Sequence, residues 1–99
     1  MIVKRKQDVI KVLQTHKDKF NKFGVNRLGL FGSFARNEAN NESDIDILVV
    51  FEASQKNFNN FMDLSFFLED VLGRKVDLVT IDSLSPYIGK NILQEVEYV

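Results

Sequence analysis

Gly32-Ser33-Phe34-Ala35-Arg36-Asn37-Glu38-Ala39-Asn40-Asn41-Glu42-Ser43-Asp44-Ile45-Asp46 decides how the chain folds. The apolar run Leu28 to Phe31 leads into its Gly-Ser pair, and its second aspartate opens another apolar run, Ile47-Leu48-Val49-Val50-Phe51. The arrangement predicts a strand, a glycine turn, a very short helix within Ser33 to Asn37, a polar loop over Asn37 to Ser43, and a second strand over Asp44 to Phe51. A link of about a dozen residues is short for a full crossover helix, so the sheet is expected to be mixed.

Alternate side chains of a strand share a face, which sets Asp44 and Asp46 on one side with α-carbons roughly 6.5–7 Å apart. Two carboxylates that close repel unless a cation lies between them. Both are hard oxygen donors of the kind Mg²⁺ or Mn²⁺ prefers, and Mg²⁺ is commonly held by one or two carboxylates plus substrate phosphates. A solvated strand start would use the same residues, and Asp-x-Asp alone is a common pattern. Three further features strengthen the metal–phosphate reading. Gly32 lets the backbone approach a ligand, and the turn after it offers free N–H groups to a phosphate, with the Ser33 hydroxyl beside them. That hydroxyl would serve equally as a helix N-cap. Asp77 interrupts the apolar strand Lys75-Val76-Asp77-Leu78-Val79, where aspartate is depleted and needs a partner or a task. If that strand neighbours the second, three carboxylates converge, enough for two metals or for one metal and a general base. Arg36 is placed to touch a phosphate or to brace Glu38 or Glu42.

Outward from this centre, apolar residues at Ile2, Val9, Val12, Leu13, Phe20 and Phe23 predict a helix from Ile2 to Phe23, broken near Gln14-Thr15-His16, where Thr15 is a good N-cap. His16, the only histidine, has no second ligand within a turn and is assigned a structural role. Gly24 is expected to end this helix, and Val25 to Phe31 to form the first strand. Phe58 to Leu72 predicts a helix stopped by Gly73, with Phe61, Leu64, Leu68, Val71 and Leu72 on its buried stripe. Phe66 and Phe67 lie off that stripe and point to a partner or self-association surface. Arg74 to Ile81 is the third strand. Ser85-Pro86 then opens a last helix whose buried side is expected to be Ile88, Ile92, Leu93 and Val96. Lys90 on that helix is a further candidate for a phosphate or partner contact. The order α–β–α–β–α–β–α predicts an α/β (α+β) fold, a small mixed sheet with helices packed largely on one face and the site on the other.

A length of 99 residues suits one domain, 1–99, and the 44% hydrophobic content is ordinary for a globular chain. No apolar run approaches the roughly 20 residues of a membrane span. The charged N-terminus lacks the features of a signal peptide. Without cysteine, disulfides and thiolate metal sites are excluded. Cytoplasm is the expected compartment. The formal charge of −1 hides an asymmetry: Met1 to Arg27 carries eight Lys/Arg against two Asp, and the remainder five against twelve Asp/Glu. A basic helix of that kind is ordinarily a solvated face, and the acidic remainder argues against direct nucleic-acid binding.

Gly32-Ser33, ten residues, then Asp44-Ile45-Asp46 resembles the signature of the DNA polymerase β-like nucleotidyltransferase superfamily. Leu30-Phe31-Gly32-Ser33-Phe34-Ala35-Arg36 and Ser43-Asp44-Ile45-Asp46-Ile47-Leu48-Val49 are similar to its minimal nucleotidyltransferase (MNT) branch, and the likeness runs from about Gly24 to Val79. The resemblance implies that Asp44 and Asp46 bind catalytic Mg²⁺ (or Mn²⁺) and that Asp77 completes the triad and assists deprotonation of an acceptor hydroxyl. It implies that Gly32 and Ser33 hold the triphosphate of ATP, with Arg36 a candidate beside them. The reaction implied is in-line attack on the α-phosphate with release of pyrophosphate. Asn37 stands where the family commonly has glycine after the Arg, but Asn tolerates a left-handed backbone, so the turn is expected to survive.

MNT domains of this size resemble the antitoxin halves of HEPN/MNT toxin–antitoxin pairs, in which AMP can be transferred from ATP to a tyrosine of the toxin. The implied function is an Mg²⁺-dependent protein adenylyltransferase acting as a type VII-like antitoxin on a HEPN-type toxin. The acceptor is expected to come from another protein or another copy, in a hetero-oligomer or homodimer. Three other readings compete. They are an antitoxin that works by occlusion without catalysis, a small-molecule nucleotidyltransferase needing a partner subunit, and an RNA contact through the basic helix.

Overall fold

Apolar residues three and four apart wind Lys6–Thr15 into α1, with Val9, Val12 and Leu13 buried. Its start is fastened by Asp8, whose carboxylate accepts the N–H groups of Lys4 and Arg5 at 3.0 and 3.1 Å. The helix breaks at His16, and α2 (Lys17–Phe20) with a single 3₁₀ turn (Asn21–Phe23) carries the chain to Gly24. Thr15 is not the cap of the second helix; its hydroxyl donates back to the Lys11 carbonyl at 2.8 Å. The structure, a computed structural model, describes residues 3–99, so the expected helical position Ile2 lies outside the described residues.

Gly24 adopts a left-handed φ of 77° and turns the chain into β1 (Val25–Phe31). A four-residue helix, α3 (Gly32–Ala35), and a polar loop lead back antiparallel into β2 (Ile45–Phe51). The short link thus does what its length dictates. The 15-residue α4 (Phe58–Leu72) is long enough for a crossover and returns β3 (Val76–Thr80) parallel to β2. Asn57 caps α4 by accepting the Asn60 N–H at 2.8 Å. After α5 (Pro86–Glu95), capped by Ser85 with Pro86 in its first turn, two residues form β4 (Glu97–Tyr98) against β1. The sheet order is β3-β2-β1-β4, a mixed sheet as expected. β4 is too short to stand out in the sequence.

The pleat sends Leu28, Leu30, Ile45, Ile47, Val49 and Leu78 to one face, where they form the core with Val9, Leu13, Phe20, Leu64, Leu68 and Leu72. α1, α2 and α4 therefore share that face, and the second face carries Asp46. Two expectations are corrected. Phe67 is no free surface aromatic: its ring packs edge-on against His16 and Phe20 at 5.6 and 6.0 Å and lies 5.5 Å from Phe23. Phe66 stays 61% exposed. The apolar side of α5 is also largely uncovered, with Ile88 63% and Leu93 47% exposed. The core face is already filled by α1 and α4, and α5 is held at buried Gly89, against Leu84, and by its last turn. There Val96 and Tyr98 close on the strand at Gly29, where a Cβ would lie 2.5 Å from Val96 Cγ2. Among the described residues no helix is long and apolar enough to cross a membrane.

Candidate active site

Alternation along β2 turns Ile45 and Ile47 into the core and Asp46 onto the opposite face. In the ladders Asp46 stands between Phe31 on β1 and Asp77 on β3. The two aspartates are direct partners across neighbouring strands, whose spacing is about 4.8 Å. Asp44 lies one residue before β2, at the same end of the sheet. It is exposed, as is Asp77, while Asp46 is half-buried. The strand adjacency on which a third carboxylate depended is therefore present.

The loop that delivers Asp44 is stapled by a residue with no motif to announce it. Arg74, just before β3, donates from Nε to the Ser43 carbonyl at 3.1 Å and from Nη2 to the Asn40 carbonyl at 2.8 Å. Its guanidinium lies 5.1 Å from the centre of the Phe34 ring. The loop's other end is the turn at Asn37, which takes the left-handed φ of 56° expected for it and accepts the Lys6 N–H on Oδ1 at 3.2 Å.

Gly32 answers two demands at once. Its φ is 75°, a region costly for other residues, and a Cβ there would lie 2.9 Å from Asp46 Cγ and closer still to Oδ2. The glycine is what lets the turn press against the carboxylate. Ser33 is not an N-cap; that position belongs to Phe31, and no side chain caps the turn. Arg36 braces Glu38, Nε to Oε1 at 3.1 Å, and makes a second pair that the sequence does not hint at, Nη1 to Glu95 Oε2 at 2.9 Å. Glu42 is not its partner and instead donates its N–H to Asn40 Oδ1 at 2.8 Å. Glu95 also accepts the Gly32 N–H, at 2.9 Å. Lys90 is not brought to the carboxylates; it lines a shallow groove on α5 with Leu84, Pro86 and Leu93. His16 is structural, its Nδ1 2.9 Å from the Val12 carbonyl.

Burial, followed by the charges of Asp77 and Asp44, pushes the Asp46 carboxyl up to about 6, against a small opposing pull from Arg36. The site thus holds more negative charge than its own cations balance. Among the described residues no three acidic or histidine side chains close into a ready-made metal cage. Hard carboxylates side by side, with a backbone turn for phosphates next to them, fit instead the mode in which Mg²⁺ takes one or two carboxylates and completes its shell from substrate and water. A carboxyl raised in the folded state binds its proton more tightly there than in the unfolded chain. Its contribution therefore favours the fold below about 4 and is lost as pH rises through about 6. Metal-free protein should show a melting temperature that falls across this window, and Asp46→Asn should flatten the fall in parallel thermal scans.

The model of the nucleotidyltransferase domain family matches residues 9–99. The protein adenylyltransferase MntA of Thermococcus cleftensis is 43% identical over 94 residues, 94% of either chain. A solved structure provisionally described as a minimal nucleotidyltransferase superposes with a TM-score of 0.83 at 30% identity, over 94% of each chain. The fold recurs at a TM-score of 0.57 and 24% identity in a complex of the tri-AMPylated HEPN toxin of Shewanella oneidensis with its MNT antitoxin, over 86% of this chain and 69% of the other.

Proposed function

The chain belongs to the nucleotidyltransferase domain family, and from that premise we propose that it transfers AMP from ATP to a hydroxyl of a HEPN-type toxin and so serves as the toxin's antitoxin. The observation that carries this reading is the pairing of Asp46 with Asp77 across β2 and β3, beside the Gly32 turn. Residues 1–99 act as one nucleotidyltransferase unit in the cytoplasm, where ATP and Mg²⁺ are supplied.

Asp44, Asp46 and Asp77 would hold Mg²⁺ (or Mn²⁺). When bound, the ion would supply positive charge to the oxygens that gain negative charge during displacement at the α-phosphorus. The chain's own residues do the rest. The Gly32 N–H, the Ser33 hydroxyl and Arg36 bind and orient the triphosphate, which fixes the α-phosphate in front of the acceptor. Asp77, exposed at the sheet edge, takes the proton of the acceptor hydroxyl. A bond then forms between that oxygen and the α-phosphorus, the bond to the β-phosphate bridging oxygen breaks, and pyrophosphate leaves.

A paired-label experiment tests the reaction type. With the partner toxin and Mg²⁺, label on the α-phosphate of ATP should move to the toxin, while label on the γ-phosphate should leave as pyrophosphate. Transfer of γ-label to protein would identify a kinase, and toxin silencing with neither label transferred would favour occlusion.

A further inference from the structure

Two of the groups assigned to the triphosphate, the Gly32 N–H and Arg36, are already engaged. Glu95, the last residue of α5, lies 63 positions from Gly32 yet takes its N–H on Oε1 at 2.9 Å. The same oxygen accepts from Arg36 Nη1 at 3.2 Å, and Oε2 accepts from that nitrogen at 2.9 Å. One carboxylate therefore bridges the backbone donor and the cation that would meet a phosphate. From this bridge we infer that Glu95 is a built-in competitor of the nucleotide, so that phosphate entry and release of the end of α5 are one event. The inference rests on the nucleotide site proposed above.

A backbone amide has a single proton and cannot make a full hydrogen bond to Glu95 and to a phosphate oxygen together. Arg36 retains donors on its far nitrogen, but a triphosphate beside an ionised Glu95 brings like charges together in a site already rich in carboxylates. The nucleotide must displace the carboxylate to use the Gly32 N–H. The helix that carries Glu95 leaves Tyr87, Ile88 and Leu93 exposed, and the strand after it is short: β4 pairs with β1 at Gly29–Tyr98 and Leu30–Glu97, with the Val99 N–H on the Leu28 carbonyl at 2.9 Å and Glu97 paired with Lys6. Segments with few buried contacts open at low free-energy cost. Glu95 thus caps the phosphate site while it is empty and couples its filling to the C-terminal segment.

A brace that merely presents Arg36 to the phosphate would use the same contacts but predicts the opposite sign. Calorimetric titration of AMP-PNP with Mg²⁺ into wild type, Glu95→Gln and Glu95→Ala separates the two. Both variants should bind more tightly, Glu95→Ala by about tenfold, the equivalent of about 1.4 kcal/mol. Hydrogen exchange on the wild type should show residues 86–99 losing protection when the nucleotide is added. The inference stands only if both changes appear. Wild-type binding with variants equal or weaker, or with exchange over 86–99 unchanged or slowed, overturns it and leaves the nucleotidyltransferase reading in place. Absence of nucleotide binding in all three proteins, each shown to be folded by its melting transition, overturns both.

Discussion

Asp46→Asn is expected to lower AMP transfer by about 10³-fold or more, since loss of several kcal/mol of charge stabilisation corresponds to that factor. The substitution preserves shape, so the fold should persist. It removes the carboxylate at the centre of the site: paired with Asp77 across the ladder, two residues from Asp44, within reach of the charge of both, and beside the Gly32 turn. Asp46 is also the group whose ionisation is most opposed by its neighbours, which is what a docking cation would relieve. Initial rates with saturating ATP and Mg²⁺ measure the effect. The melting temperature of metal-free Asp46→Asn should match or exceed that of the wild type near neutral pH. An activity loss accompanied by a lower melting temperature would instead mark Asp46 as structural.

Gly32→Ala carries the second large effect, and its cause is steric. The left-handed backbone alone costs a residue with a Cβ about 1–2 kcal/mol. The new methyl would also stand 2.9 Å from Asp46 Cγ, so the carboxylate must turn away from its place beside the Gly32 turn or the strand must shift. Urea unfolding should show a lower midpoint with an unchanged slope, and AMP-PNP titration should show binding lost. Retained binding at wild-type stability would mean that the turn does not press on Asp46.

Much of this site is legible in the sequence. Alternation placed Asp46 opposite Ile45 and Ile47, an aspartate inside an apolar strand marked Asp77, and the short link after Phe31 forced an antiparallel pair. These are local regularities, and local sequence carries them. Arg74 and Glu95 were not legible, because their roles exist only across the fold: one fastens a loop 31 residues earlier, the other a turn 63 residues earlier. Phe67 misled for the same reason. Helical spacing placed it off the α4 stripe, but the ring finds His16, Phe20 and Phe23 on elements that periodicity within α4 does not see. The stripe of α5 misled in the other direction. An amphipathic pattern says that a face is apolar, not that another surface is available to cover it, and here the core face was already taken.

The central claim, that the Asp44–Asp46–Asp77 site silences a partner by adenylylation, is tested most directly by the intact mass of the toxin purified after co-expression with this chain. The account predicts an AMP increment on the toxin with the wild-type chain, and neither increment nor silencing with Asp46→Asn. Silencing by Asp46→Asn with an unmodified toxin would contradict it.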